Sequence, residues 1–291
     1  MSVYPMVLSQ TKFMNRDELV YPYEERGLQF GDGVYEVIRV YHGTYHLLTE
    51  HIERLFRSAQ AIKIELPVTK EQLTQLLHEL LQQNNMTDDG KVYLQVTRGS
   101  AARDHVFPEN VPANLYAYIE QLPRNIKNLK HGVCAITHED TRWDYCSIKS
   151  LNLLPNVLAK QEAKEKGCYE AILHKDGLVT ECSSSNVYYV KNNKIYTHPA
   201  TKNILHGCVR MRVEQFAKQL DIPFIEEAFT LEDVPTADEM FLTSTTSEVL
   251  PIIKVDDQPI GNAKPGPITR TLQAAYERDA NIVDDVKAVN D

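Results

Sequence analysis

No run of about 18 apolar residues occurs anywhere in the 291-residue chain, so nothing in it reads as a membrane-spanning helix. The start MSVYPMVLSQ has no basic segment leading into an apolar one, and the expectation is a protein neither secreted nor anchored. Cysteine is scarce and odd in number. Cys134, Cys146, Cys168, Cys182 and Cys208 show no C-x-x-C spacing, which argues against a disulfide framework or a thiolate zinc site and fits a reducing cytoplasm. Excess positive charge is also missing: 31 Lys and Arg stand against 40 Asp and Glu, a formal net charge of −9, so no nucleic-acid partner is expected. There is no repeat at a period of about 20–50 residues, which sets solenoids and propellers aside. G-x-x-x-x-G-K-[ST] and G-x-S-x-G are absent, and Gly31-x-Gly33 lacks a third glycine, removing the P-loop, the nucleophile elbow and the dinucleotide fingerprint. His42 and His46 have i,i+4 spacing, but Gly43 marks a turn between them, so no metal site is expected.

What is present reads as an ordinary globular chain, 43% hydrophobic and 24% charged, long enough for one large domain or two modest ones. VYEVIRVY (34–41), entered through Gly31-Asp32-Gly33, reads as a strand after a turn. Ile52, Leu55, Phe56, Ala59 and Ile62 share one helical face, with Thr49 a candidate N-cap. Thr69 to Gln72 is a capping box opening a leucine-lined helix. Strands over 91–98 and 114–121 bracket a polar loop, and LPRNIKNLK (122–130) reads as a linker. Beyond it, Pro155 to Lys166 is a helix ending at Gly167, and hairpins turn at Asp176-Gly177 and Asn192-Asn193. Strands and helices do not alternate strictly, which favours α+β over a doubly wound sheet. The expected domains are 1–121 and 131–280, with a frayed tail over 281–291.

Four polar clusters carry possible chemistry. Lys149 sits in Cys146-Ser-Ile-Lys-Ser-Leu-Asn beside Ile148. Facing a cleft it is a Schiff-base nucleophile, and facing solvent it is a snorkelling lysine. Thr180-Glu181-Cys-Ser-Ser184-Ser185-Asn offers a carboxylate beside hydroxyls, or else a solvated serine loop. Ser244-Thr245-Thr-Ser-Glu248 is a second hydroxyl cluster that also has capping-box spacing. Leu205-His-Gly-Cys208-Val209 opens a helix, where free N–H groups suit an anion. A charged loop, Arg98 to His105, adds two arginines and a histidine able to hold a carboxylate. An amine, a carboxylate for a ring nitrogen, and hydroxyls with a helix start for a phosphate form the inventory that pyridoxal 5′-phosphate requires.

Through the motifs at 146–154, 180–186 and 244–248, the chain resembles the fold-type IV (class IV) pyridoxal-phosphate aminotransferases, continuously from about Glu25 to residue 275. The resemblance implies a small N-terminal α/β domain and a larger C-terminal domain with a β-barrel-like core. It makes Lys149 the Schiff-base lysine and proton shuttle, and Glu181 the partner of the pyridine nitrogen. Arg54, the backbone at Cys208 and Val209, and Thr245 would hold the phosphate, while Ser184 and Ser185 would lie beside the cofactor. Arg103 and His105 match the R-x-H pair that, with a tyrosine at Tyr35, traps the substrate carboxylate in D-specific members. That pair comes from the partner subunit, so a homodimer with shared sites is implied. The implied reaction exchanges amino groups between D-amino acids and 2-oxo acids, D-alanine with 2-oxoglutarate. L-branched-chain transamination, aminodeoxychorismate lysis and a non-catalytic binder on the same scaffold are the alternatives. One departure is Cys208-Val209-Arg210 where the family usually has Ile-Thr-Arg, removing one hydroxyl contact worth about 0.5–1.5 kcal/mol. Asp104 also puts a negative charge inside the trap loop.

Overall fold

The computed structural model describes residues 3–282 and divides into two compact units: Met1–Arg124 with Ile148–Asn152, and Asn125–Ser147 with Leu153–Asp291. In the first unit, strands β1 (Met6–Ser9) and β2 (Lys12–Asn15) precede a short helix α1 (Arg26–Phe30). After it come β3 (Gly33–Tyr41), β4 (Thr44–Tyr45), α2 (Leu48–Ala61), α3 (Lys70–Gln83), β5 (Gly90–Thr97) and β6 (Asn114–Gln121). The six strands form one antiparallel sheet in the order β2-β1-β6-β5-β3-β4. Alternation decides its two faces. Val92, Leu94, Val96, Leu115, Ala117 and Ile119 are buried against Ile52, Leu55 and Ala59 of α2 and Leu73, Leu77 and Leu80 of α3, while Tyr93, Tyr116 and Tyr118 occupy the opposite face, only partly buried.

The capping box on α3 is present, with Thr69 Oγ1 accepting from Gln72 N and the Gln72 side chain accepting from Thr69 N. Thr49, by contrast, is not a cap. Helix α2 starts at Leu48, two residues earlier than a Thr49 cap would give, behind a left-handed Leu47 (φ 57°) with no side-chain cap. Leu47 is buried, so packing of an apolar side chain rather than a hydroxyl sets this helix entry. Gly31 ends α1 in the left-handed region (φ 66°), donating to the carbonyls of Arg26 and Gly27. A side chain would strain that turn.

The second unit begins with α4 (Ile126–His131), a short helix within the stretch read as a linker, and β7 (Val133–Glu139). Helix α5 (Leu154–Glu165) leads into β8 (Glu170–Lys175), β9 (Leu178–Cys182), β10 (Asn186–Lys191) and β11 (Lys194–Thr197). Then follow α6 (Cys208–Gln219), β12 (Phe224–Glu226), β13 (Glu239–Ser244), β14 (Glu248–Val255), β15 (Gln258–Pro259) and α7 (Pro267–Asp279). Both predicted hairpins form, with Asp176 and Gly177, then Asn192 and Asn193, at positive φ, the conformation these tight turns need. The nine strands run β12-β11-β10-β13-β14-β7-β8-β9 with β15 on β14, mixing parallel and antiparallel pairs in a sheet curled as a half-barrel. The fold is α+β, as expected. Val133, Ala135, Ile172, Val187, Met240, Leu242, Leu250 and Ile252 make its main core. Of the tail expected to fray, Ile282 is tied back by its N–H to Glu277 O at 2.9 Å, and 283–291 lie outside the described residues.

Candidate active site

In the first unit, Lys149 is carried by a segment that joins β3 through a single bridge, Val34 to Ser150. Tyr35 N donates to Lys149 O at 3.0 Å, Leu151 N to Gly33 O at 3.0 Å, and Lys149 N to Ser58 Oγ at 3.2 Å. The backbone is therefore fixed on both sides of the lysine. Strand alternation does not govern the stretch, because Ser150 N turns back onto Ile148 O at 2.8 Å. Lys149 Nζ lies 4.2 Å from the centre of the Tyr35 ring, and that ring stacks on Tyr93 at 5.8 Å. The amine and the expected substrate-side tyrosine are neighbours.

Arg54 is held by a partner the sequence did not suggest. Its Nε and Nη2 donate to the two oxygens of Glu36 at 2.7 and 2.8 Å, and His51 Nδ1 meets the same carboxylate at 2.7 Å. All three side chains are buried. Burial acts to raise the Glu36 carboxyl, but Arg54 and then His51 outweigh it and hold it well below the usual carboxylate range. Arg103 and His105 lie exposed in the loop between β5 and β6, both against Phe30. The Arg103 guanidinium is 4.8 Å from that ring centre, and the His105 ring centre is 5.5 Å away. The Asp104 carboxylate turns onto its own backbone, accepting from Val106 N at 3.3 Å.

In the second unit, Glu181 on β9 is 3% exposed. Its Oε1 accepts from Arg142 Nη1 at 2.5 Å and from Leu205 N at 3.0 Å, and its Oε2 from Asn186 Nδ2 at 2.9 Å. Burial pushes its carboxyl up against the pull of Arg142, while the three donors all suit the ionised form. Arg142 is gripped from behind by Asp140, through Nε at 2.9 Å and Nη2 at 2.8 Å. Burial works against its charge, and the Asp140 hydrogen bonds with the Glu181 charge more than offset it. Among the described residues the second acceptor position of Oε2 has no donor, so the carboxylate can still receive one N–H.

Ser184 and Ser185 donate to a buried Glu170, at 2.7 and 3.1 Å, alongside a close Ser183 and Lys160 Nζ at 3.2 Å. Their hydroxyl hydrogens are thus committed, leaving each oxygen able only to accept. Cys208 and Val209 open the twelve-residue α6 behind Gly207, with no side-chain cap, so its first N–H groups suit an anion. Gly207 is required there: a Cβ would come within 2.3 Å of Asn186 Oδ1, displacing the side chain that donates to Glu181. Thr245 lies in the hairpin turn between β13 and β14, where Ser244 pairs with Glu248 and Ser244 Oγ accepts from Ser247 N at 3.0 Å. The capping-box spacing there is incidental, because no helix follows. Sequence reasoning missed Glu36, His51, Asp140, Arg142 and Glu170. Only the close Asp140-x-Arg142 pairing offered a local signal.

Residues 33–255 match the family model described as amino-transferase class IV. The chain is 47% identical over 271 residues to the D-alanine aminotransferase of Bacillus licheniformis, covering 93% of this chain and 95% of that one. It is 45% identical over 268 residues to the D-alanine aminotransferase of Staphylococcus aureus (strain N315), at 92% and 95% coverage. Among solved structures it superimposes, with a TM-score of 0.87 at 26% identity, on the branched-chain aminotransferase of the thermophilic archaeon Thermoproteus uzoniensis with norvaline, covering 99% of this chain and 98% of that one.

Proposed function

The chain belongs to the class IV aminotransferases, and we propose that within this family it exchanges amino groups between D-amino acids and 2-oxo acids, with D-alanine and 2-oxoglutarate as the working pair. The observation that carries the D-specific reading is the 47% identity over nearly the whole chain to a D-alanine aminotransferase, against 26% to the branched-chain enzyme. Pyridoxal 5′-phosphate is the cofactor. The residues fit it: Glu181 Oε2 has an open acceptor position, as a protonated ring nitrogen needs, and α6 begins with uncapped N–H groups, as a phosphate needs. When bound, the cofactor supplies an electron sink for the pair left as the substrate Cα–H bond breaks.

Lys149 supplies the amine that holds the cofactor in the resting enzyme and carries the Cα proton in turnover. Its backbone anchorage to Tyr35 and Ser58, with Leu151 N on Gly33 O two residues on, supports that role by fixing where the flexible stem begins. Glu181 holds the proton on the ring nitrogen, and Arg142 with Asp140 keeps that carboxylate oriented. Arg54, the N–H groups of Cys208 and Val209, and Thr245 would hold the phosphate, with Glu36 fixing the plane of the Arg54 guanidinium. Ser184 and Ser185 would lie beside the cofactor, oriented by Glu170. Tyr35, Arg103 and His105 would bind the substrate carboxylate, with the last two supplied by the partner subunit of a homodimer. Exposed apolar side chains support an assembly of this kind: Leu154, Val157 and Leu158 on α5, and separately Leu28, Val106 and Phe107. All five cysteines are free, which suits a cytoplasmic location.

The test is pyruvate formation from D-alanine with 2-oxoglutarate, run beside L-alanine, L-leucine and aminodeoxychorismate, together with borohydride treatment of the yellow protein. D-alanine should be turned over fastest and the label should fall on the Lys149 peptide. Faster turnover of L-leucine would put the branched-chain reading first, and label on another lysine would remove the assigned amine.

A further inference from the structure

The carboxylate-binding pair sits in a long exposed loop, and an exposed loop holds two side chains in one geometry only if something fixes it, since ordering each residue costs about 1–2 kcal/mol. Two devices do so here. The first is a buried ionic clamp. Asp32 accepts from Arg26 Nε at 2.8 Å and from Arg98 Nε and Nη2 at 2.8 and 3.0 Å, so one carboxylate fixes two guanidinium planes. Arg98 spends two further N–H groups on the carbonyls of Ile62 and Lys63, at 2.7 and 2.9 Å. Arg26 Nη1 reaches into the loop and donates to Asp104 O at 2.6 Å and, more weakly, to Val106 O at 3.5 Å. These carbonyls flank His105. The loop is thereby pinned at the peptide units on either side of one member of the pair.

The second device is the ring of Phe30, the last residue of α1. Arg26 and Arg103 both place their guanidinium carbons over it, at 4.7 and 4.8 Å, and His105 packs against it at 5.5 Å. An aromatic face holds a guanidinium differently from a carboxylate. An aspartate would occupy the N–H fork and cancel the charge, whereas a ring attracts the cation through its quadrupole and leaves the edge N–H groups available. Among the described residues Arg103 makes no ion pair, so its charge and its donors remain for a ligand.

We propose that Phe30 is a positioning residue that presets Arg103 and His105 as a carboxylate reader, on a loop pinned by the Arg26–Asp32–Arg98 clamp. The proposal rests on the assignment of that pair to the substrate α-carboxylate. Presetting acts on substrate binding, because the geometry is fixed before the ligand arrives. It has no direct part in proton transfer.

The experiment compares wild type, Phe30→Leu, Phe30→Tyr, Arg103→Ala and the Phe30→Leu/Arg103→Ala double variant as pyridoxal-phosphate-loaded enzymes, whose absorbance spectra confirm equal loading. KM and kcat are measured for D-alanine. The rate of the cofactor spectral change with ethylamine, which has no carboxylate, is measured alongside. Phe30→Leu should raise KM for D-alanine about tenfold, equivalent to about 1.4 kcal/mol, with kcat within about twofold and the ethylamine rate unchanged. Phe30→Tyr should restore KM to near the wild-type value. In the Arg103→Ala background Phe30→Leu should add less than about twofold, since the group it positions is gone. A raised KM in Arg103→Ala with an unchanged KM in Phe30→Leu overturns this proposal alone. An ethylamine rate that falls with the D-alanine rate overturns it also, by showing general damage. An unchanged KM in Arg103→Ala sinks the underlying carboxylate reading instead.

Discussion

Exchanging Glu181 for glutamine keeps the side-chain volume and removes its charge, and the surrounding hydrogen bonds determine the cost. If the new carbonyl oxygen takes the Oε1 position, it keeps Arg142 Nη1 and Leu205 N, but the new amide then points at Asn186 Nδ2, a donor facing a donor. Turning Asn186 over would sacrifice its bond to Leu205 O at 2.8 Å. One buried hydrogen bond is therefore lost in either arrangement, at about 1–3 kcal/mol. At about 2–4 °C per kcal/mol for a domain of this size, the melting temperature should drop by roughly 2–12 °C. Arg142 stays charged and paired, because Asp140 still grips it through two nitrogens, so the variant should fold. Function should suffer more. A neutral amide cannot favour a proton on the ring nitrogen by charge, and an opposite charge at such range is worth about 1–3 pKa units, so turnover of D-alanine should fall by roughly 10- to 10³-fold. The assay is coupled pyruvate formation alongside the visible spectrum and a thermal melt. A yellow, folded Glu181→Gln enzyme with wild-type turnover would refute the assignment, and a variant that is inactive only because it is unfolded would refute the accounting of its bonds.

Arg103→Ala should lower kcat/KM for D-alanine by roughly 10²-fold, whereas Asp104→Asn should be nearly silent because that carboxylate is turned onto Val106 N; a large effect of the latter would mean the loop rearranges around substrate. Mixing inactive Lys149→Ala chains with weakened Arg103→Ala chains should raise activity above that of the Arg103→Ala enzyme alone if the carboxylate pair is supplied across a dimer, and heterodimers no more active than Arg103→Ala would remove the shared-site claim. Glu36→Gln leaves Arg54 and His51 buried without their carboxylate, a loss of about 3–5 kcal/mol at pH 7. Because the folded Glu36 carboxyl is held below its ordinary value of 4.5, its stabilisation is fully present above that pH and disappears as the pH falls below it. The gap between wild type and variant in urea midpoints should therefore narrow as the pH falls below 4.5; a constant gap from there down to about pH 3 would show that Glu36 does not titrate with folding.

Elements governed by local rules were legible in the sequence. The alternation in β5 and β6, the leucine stripe of α3 and the Asn192-Asn193 turn each follow from periodicity or from positive-φ chemistry confined to a few residues. Local rules misled where tertiary packing sets the backbone: buried Leu47 rather than Thr49 begins α2, and Thr245 to Glu248 closes a hairpin instead of starting a helix. The charged partners behind the candidate site were hidden for a related reason. Arg142 meets Glu181 across 39 positions and Arg54 meets Glu36 across 18, and no spacing rule spans such separations. Glu36 sits in a run that reads as a strand, and nothing in that run says that its carboxylate will be buried against an arginine and a histidine.

The attachment of Ile148–Asn152 to the first unit bears on how the chain is made. A nascent chain released only as far as Arg124 lacks the residues that bridge Val34 through Ser150 and that accept the Tyr35 N–H through Lys149 O. About 28 further residues must emerge before those partners exist, a matter of a few seconds at 5–20 residues per second. During that interval one end of β3 has open hydrogen-bonding groups, a template for pairing with another chain. A ribosomal pause between Arg124 and Asn152 would prolong the exposure, and cutting the gene at the unit boundary would make it permanent. The segment bearing the lysine thus also completes the first unit's sheet at that end of β3.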